Sequence, residues 1–126
     1  MITTISSHHI AQPKRPYSLA TRVANCLFIS GQVAVDEHGA LVGAGDIEEQ
    51  TRQVLTNVSH LLAAGDFTFA DVAQVRVYLS ALSLYEGMNR VYEAFVKPPY
   101  PARTTIEAKL IDADYLVEIE AIAMKT

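Results

Sequence analysis

The sequence predicts an α+β domain in which two amphipathic helices cover one face of a mixed β-sheet. Three observations carry that expectation. Two segments repeat their apolar residues at helical spacing, and several others alternate or run apolar as strands do. The order along the chain is strands, helix, strand, helix, strands. With 126 residues, the chain has the length of one domain spanning 1–126 and can close one hydrophobic core.

The elements follow in order. Residues 1–12 read as a flexible or edge N-terminal arm. A short strand is expected over Tyr17–Val23, and a longer one over Cys26–Val35, rich in β-branched and aromatic residues. Asp36-Glu37-His38-Gly39 then forms a turn. Asp46 can cap the first helix, because its carboxylate accepts the free N–H groups of the opening turn. Ile47, Val54, Leu55, Val58, Leu61 and Leu62 lie on one stripe of that helix, and Gly65 ends it. Val72–Ser80 alternates as a strand. Ser83 with Glu86 three residues on predicts a capping box for the second helix, whose apolar stripe runs through Leu84, Met88, Val91, Tyr92 and Phe95 to the stop at Pro98-Pro99. Arg103–Leu110 alternates, with Thr104, Ile106, Ala108 and Leu110 expected on the apolar side. Tyr115–Met124 forms the last strand, with Val117, Ile119 and Ala121 opposite Glu118 and Glu120.

Two helices cover only one sheet face, and the other retains Phe28, Tyr78, Leu116 and Ile122. Half of the residues are hydrophobic and 19% are charged, so an uncovered face of this kind predicts a closed oligomer. The net charge of −4 and the lack of any Lys/Arg run leave no footprint for phosphates, which argues against a nucleic-acid partner. No apolar run approaches the roughly 20 residues of a membrane span, and Met1–Gln12 lacks a leader pattern. Cys26, the single cysteine, has no internal partner. A cytoplasmic, reducing compartment is expected.

Few residues can carry chemistry. Arg103 follows Pro101-Ala102 at the start of a strand, and its guanidinium fork matches a carboxylate in two parallel bonds. On these grounds alone, an ion pair with Glu107, Glu118 or Glu120 is the plainer reading. Glu118 and Glu120 stand two apart on a strand, on one face and within roughly 7 Å of each other. Flanked by Leu116 and Ile122, one of them can be desolvated enough to act as acid or base, or the pair can balance Arg103, Lys109 or Arg76. Ser30-Gly31-Gln32 interrupts an apolar strand, as a close backbone or ligand approach requires. Tyr17 and Asn89 are weaker candidates. His8, His9, His38 and His60 lack metal-ligand spacing, and no P-loop or G-x-G-x-x-G is present, so neither a metal nor a cofactor is expected.

Taken together, Arg15-Pro16-Tyr17-Ser18, Phe28-Ile29-Ser30-Gly31-Gln32-Val33, Asp46–Leu55, Asn57-Val58, Asn89–Phe95, Pro101-Ala102-Arg103 and Val117–Ala123 resemble the RidA/YjgF family of reactive-intermediate deaminases across nearly the whole chain. The resemblance implies a chorismate-mutase-like α+β fold and a homotrimer with sites in clefts between subunits. It also implies cofactor-free hydrolysis of a small carboxylate-bearing imine or enamine to a 2-keto acid and ammonia. By the same resemblance, Arg103 holds the substrate carboxylate and Glu118 positions the attacking water. Tyr17, Ser30, Gly31, Asn89 and Thr105 fall on pocket positions. Two departures stand out. Thr104-Thr105 replaces the Ser-Cys that follows Pro-Ala-Arg in many deaminating members, and Arg15 brings a charge beside Tyr17 that favours a dicarboxylate substrate or simply faces solvent. The competing expectations are a larger enamine such as 2-aminomuconate and a non-enzymatic ligand-binding or chaperone-like role. The ribonuclease label attached to the family conflicts with the acidic charge.

Overall fold

A computed structural model describes all of residues 1–126. The strands are β1 (Thr3–Ile5), β2 (Ala20–Val23), β3 (Cys26–Gln32), β4 (Val72–Leu79), β5 (Ala102–Glu107) and β6 (Val117–Met124). The helices are α1 (Ile47–Ala64) and α2 (Tyr85–Phe95), with short 3₁₀ turns at Phe69–Asp71 and Leu82–Leu84. All six strands form one sheet in the order β1-β2-β3-β6-β4-β5. Only β4 and β5 pair in parallel, with α2 in the connection between them. The architecture is therefore α+β with a mixed sheet, as the sequence predicts. No helix is long and apolar enough to cross a membrane.

The core lies between the sheet and the helices. Alternation along β6 buries Val117, Ile119, Ala121 and Ala123, and β4 contributes Val75, Val77 and Leu79 to the same side. Helix α1 answers with Val54, Leu55, Val58, Leu61 and Leu62, all essentially free of solvent contact. At roughly 1.5–3 kcal/mol for each fully buried aliphatic side chain, this layer dominates the fold's stability. Asp46 caps α1 as expected, its carboxylate accepting from the backbone of Glu48 and Glu49 at 3.1 Å. In the turn before it, the Asp36 carboxylate accepts from the backbone N–H groups of His38 and Ala40. Two buried polar side chains tie α1 to the loops. Gln50 donates to the carbonyls of Gly43 and Asp114 and accepts from the Leu116 backbone, anchoring the entry to β6. Asn57 donates to the carbonyls of Val33 and Val35 where β3 has ended.

Three expectations are corrected. The Ser83–Glu86 capping box does not form, because Ser83 lies inside a 3₁₀ turn and Leu84, at φ −86° and ψ −4°, is already helical where a cap needs extended backbone. β3 stops at Gln32 instead of Val35, because its register with β6 shifts between Ile29 and Gln32, a bulge that leaves Ser30 and Gly31 out of the ladder. The two faces of β5 are reversed. Its register sets Arg103 beside buried Val75 and Thr105 beside buried Val77, so both side chains point to the helix side. Thr104 and Ile106 look out on the open face, where Ile106 is 45% exposed. Apolarity misplaced the strand because β5 is an edge strand, where α2 offers a lining of tyrosines instead of an aliphatic core.

Candidate active site

The candidate residues fall into two groups on opposite faces of the sheet. On the open face, the β3 bulge brings Gly31 against Glu118, so closely that a Cβ on Gly31 would lie 2.0 Å from Oε2 of Glu118. Glycine lets the Glu118 carboxylate lie against the bulge, and any Cβ would make that side chain swing aside. Ser30 turns its hydroxyl to the Ser18 carbonyl at 2.7 Å, and its backbone N–H bonds the Leu19 carbonyl at 3.0 Å, fixing the segment that carries Tyr17 to the bulge. Tyr17 is 56% exposed. Tyr115, at the approach to β6, has its phenol pushed up by burial and by the nearby Asp112, Tyr17 and Glu118, which places it in the same neighbourhood.

Glu118 and Glu120 share this face but differ in their partners. Glu120 accepts from the Tyr78 hydroxyl and lies 3.7 Å from Nη1 of Arg76. Glu118 has no side-chain hydrogen bond or ion pair in the chain. Half-burial, and then the negative charge of Glu120, hold its carboxyl above the usual carboxylate range. Of the two, Glu120 is the paired residue and Glu118 the unspent one.

The second group lies on the helix side, at the sheet edge. Arg103 sits at the floor of a cavity of about 350 Å³ lined by Tyr85, Asn89, Tyr92, Glu93, Tyr100 and Pro101. Its guanidinium carbon is 4.7 Å from the centroid of the Tyr92 ring and 5.7 Å from that of Tyr85. Nη2 donates to the Tyr85 hydroxyl at 3.1 Å. No carboxylate of the chain pairs with Arg103; the ion pairs are Arg76–Glu120, Arg90–Glu48 and His38–Glu37. Tyr92 is 6% exposed and its hydroxyl makes no well-formed hydrogen bond; burial pushes its phenol up, while the charge and the N–H donors of the adjacent Arg103 pull it down. The Oγ1 of Thr105 is also buried without a partner, one step inward from Arg103 on the same side of β5. The loop before Arg103 contains a cis Pro98–Pro99 bond and delivers Tyr100 and Pro101 to the cavity wall.

The structure thus brings Tyr17, Ser30, Gly31 and Glu118 together on one face, and Asn89 and Arg103 together on the other, with Thr105 beside them. It does not bring the two sets together within one chain. β4 separates β5 from β6, and the side chains of Arg103 and Glu118 leave the sheet in opposite directions. Arg15 stays exposed, its guanidinium bonded only to the Lys14 carbonyl at 3.4 Å. Sequence reading missed Tyr85, Tyr100 and Tyr115 and placed Tyr92 in an ordinary core stripe. The available signal was Tyr85, Asn89 and Tyr92 at helical i, i+4 and i+7 spacing, just ahead of the Pro-Ala-Arg strand. No cluster of three or more His, Cys, Asp or Glu is arranged to hold a metal.

Comparison with known proteins agrees along the full length. The family model described as Endoribonuclease L-PSP matches residues 8–125. A RutC family protein of Pyrococcus horikoshii is 39% identical over 99% of both chains. The 3-aminoacrylate deaminase RutC of Acinetobacter baylyi is 32% identical over 88% of both. A 2-iminobutanoate/2-iminopropanoate deaminase of Dermatophagoides farinae is 29% identical over 95% of this chain and 94% of its own. Among solved structures, one from Thermotoga maritima superposes with a TM-score of 0.94 at 35% identity, covering 100% of this chain and 99% of that one. RidA from an Antarctic Psychrobacter gives 0.90 at 30% identity, covering 98% and 99%. Fold, motifs and full-length similarity converge: this chain belongs to the RidA/YjgF family, the family of the Endoribonuclease L-PSP model.

Proposed function

We propose that the protein is a cofactor-independent deaminase that hydrolyses the carbon–nitrogen bond of a short carboxylate-bearing imine or enamine, with Arg103 binding the carboxylate and Glu118 acting on water. One observation carries this reading. The chain holds an arginine with no carboxylate partner and a half-buried glutamate with no cation partner, each set into a shaped lining. Charged groups held unpaired in partly desolvated positions are expensive unless a ligand completes them.

The chemistry follows from the groups present. Arg103 takes the substrate carboxylate and so orients the C=N carbon. Glu118, ionised, takes a proton from water as the water oxygen bonds to that carbon, and the C=N electron pair moves to nitrogen. Glu118 passes that proton to the same nitrogen, which completes the neutral carbinolamine. It then takes the proton of the new hydroxyl and delivers it to nitrogen as the C–N bond breaks, the C=O bond forms and ammonia leaves. A raised pKa suits a group that must both take and return a proton near neutrality. Proximity and one acid/base group together supply several kcal/mol, enough for a substrate that already hydrolyses slowly unaided. The deaminase names of the Acinetobacter and Dermatophagoides relatives support this class of reaction.

Because the two half-sites occupy opposite faces of one sheet, this reading requires copies to assemble so that Arg103 of one meets Glu118 of the next. A closed trimer with sites in its clefts meets that need, and Phe28, Ile106 and Met124, exposed on the open face at 42%, 45% and 48%, supply apolar contact surface. A larger dicarboxylate enamine is the second reading. It is favoured by Arg15, whose guanidinium has no carboxylate partner and whose carbonyl accepts from the Tyr17 N–H at 2.8 Å.

The test generates 2-iminopropanoate and 2-iminobutanoate in situ with an amino-acid oxidase and traps the remaining imine with semicarbazide. Wild type should deplete the imine, while Arg103→Ala and Glu118→Gln should fall to near the protein-free rate. Wild type matching the protein-free control would sink the short-imine reading and turn attention to dicarboxylate enamines.

A further inference from the structure

We propose that Tyr85 is a positioning residue for Arg103, and that its hydroxyl fixes the rotation of the guanidinium so that the opposite edge is presented to a carboxylate. This rests on the carboxylate-binding role of Arg103 in the proposed function.

Arginine has a long flexible stem, and an exposed, unpaired guanidinium samples many rotamers. Here two contacts of different kinds remove that freedom. The guanidinium carbon lies over the Tyr92 ring, 4.7 Å from its centroid, which holds the group against that ring. One donor, Nη2, is taken by the Tyr85 hydroxyl at 3.1 Å, and this second anchor limits how the group can turn. Arginine has five N–H donors, so this contact leaves a pair of parallel donors available for a carboxylate fork. A carboxylate partner in place of Tyr85 would have fixed the group equally well, but it would have spent the charge. A neutral acceptor fixes the geometry and leaves the charge for the ligand.

Packing does not explain Tyr85. It is the first residue of α2, 38% exposed, with its side chain on the cavity wall and not in the core. The helix starts there without any side-chain cap. The Arg103 guanidinium is the only partner of its hydroxyl.

Binding of 2-oxobutanoate, the product expected of the proposed reaction, to the intact protein by NMR titration supplies the test, alongside steady-state kinetics. Tyr85→Phe keeps the ring and removes only the acceptor. It should weaken 2-oxobutanoate binding and raise KM about tenfold, while kcat stays within about twofold, since one hydrogen bond to a charged group is lost and the water-activating side is untouched. In an Arg103→Ala background, where binding is already weak, Tyr85→Phe should have no further effect, because Tyr85 acts through Arg103. If Arg103→Ala weakens binding but Tyr85→Phe matches wild type, the positioning role is overturned and the carboxylate reading stands. An equal loss from Tyr85→Phe in both backgrounds overturns it as well, because the tyrosine would then contact the ligand directly. If Arg103→Ala binds like wild type, the carboxylate reading falls and this inference falls with it.

Discussion

At residue 31 there is no room for a side chain. The carboxylate of Glu118 occupies the space a Cβ would fill, so Gly31→Ala should swing Glu118 away and lower kcat by more than about tenfold. The fold should survive, because the clash is with one side chain on the open face; circular dichroism and a kinetic assay read the two effects separately. In its proposed role Glu118 also sets a pH limb. Its folded pKa is raised, first by burial and then by Glu120, so a base-dependent rate is lost as pH falls through that raised value. Glu120→Gln removes the smaller cause and should move the acid limb of kcat/KM part of the way down toward an ordinary glutamate. The same shift acts on stability with a definite sign. A carboxyl whose folded pKa is raised favours folding fully only below its unfolded pKa, and that contribution is lost as pH rises through the folded value. Glu118→Gln should therefore stabilise the neutral-pH protein, read as a higher thermal midpoint at pH 7, while abolishing turnover. At this scale the sequence made Arg103, Glu118, Gly31 and Asn89 legible through their motifs. It hid Tyr85 and Tyr92, because a tyrosine on a helical stripe looks the same whether it fills a core or lines a cavity. Spacing alone left open which glutamate is free and only the resemblance chose Glu118; the register beside Tyr78 and Arg76 gives the physical difference between Glu118 and Glu120.

Helices α1 and α2 cross where Gly87 lets them touch. A Cβ on Gly87 would lie 2.6 Å from Cγ2 of Ile47, so Gly87→Ala must push the helices apart, and overpacking of this kind costs about 1–3 kcal/mol. Urea denaturation should show it as a lower midpoint with an unchanged slope. Since α2 carries Tyr85, Asn89 and Tyr92, a shift of that helix should also raise KM. Removing the α1 cap with Asp46→Ala is a cleaner loss, about 1 kcal/mol with kinetics intact, because that end of α1 supplies no candidate residue. The elements themselves were readable: both helices, the strand order along the chain and the Asp46 cap follow from periodicity and turn chemistry. The errors sit where tertiary context outweighs local pattern. A 3₁₀ turn displaced the capping box at Ser83, a bulge shortened β3, and an edge position reversed the faces of β5.

For the whole molecule, the decisive fact is that Arg103 and Glu118 leave the sheet on opposite sides. Light scattering should give a mass three times that of the 13.8 kDa chain if the proposed trimer forms, and one chain mass would refute it. Mixing offers a sharper measurement. Arg103→Ala and Glu118→Ala proteins, each inactive, should regain about a quarter of wild-type activity when unfolded and refolded together in equal amounts, because random assembly leaves that share of clefts with both groups intact. No recovery in a mixture that has refolded to the assembled mass would overturn the shared cleft. The case for the proposed assembly was only partly legible in the sequence: an uncovered, half-apolar sheet face could be read, but not that the sheet parts the two charged residues. That parting makes protein concentration a control on reactivity. With Arg103 and Glu118 in the roles proposed for them, a lone folded chain carries a carboxylate grip without a water-activating group on the same side, so folding alone would give an inert product. Specific activity should then collapse on dilution below the assembly's dissociation constant while each chain stays folded, and return on reconcentration.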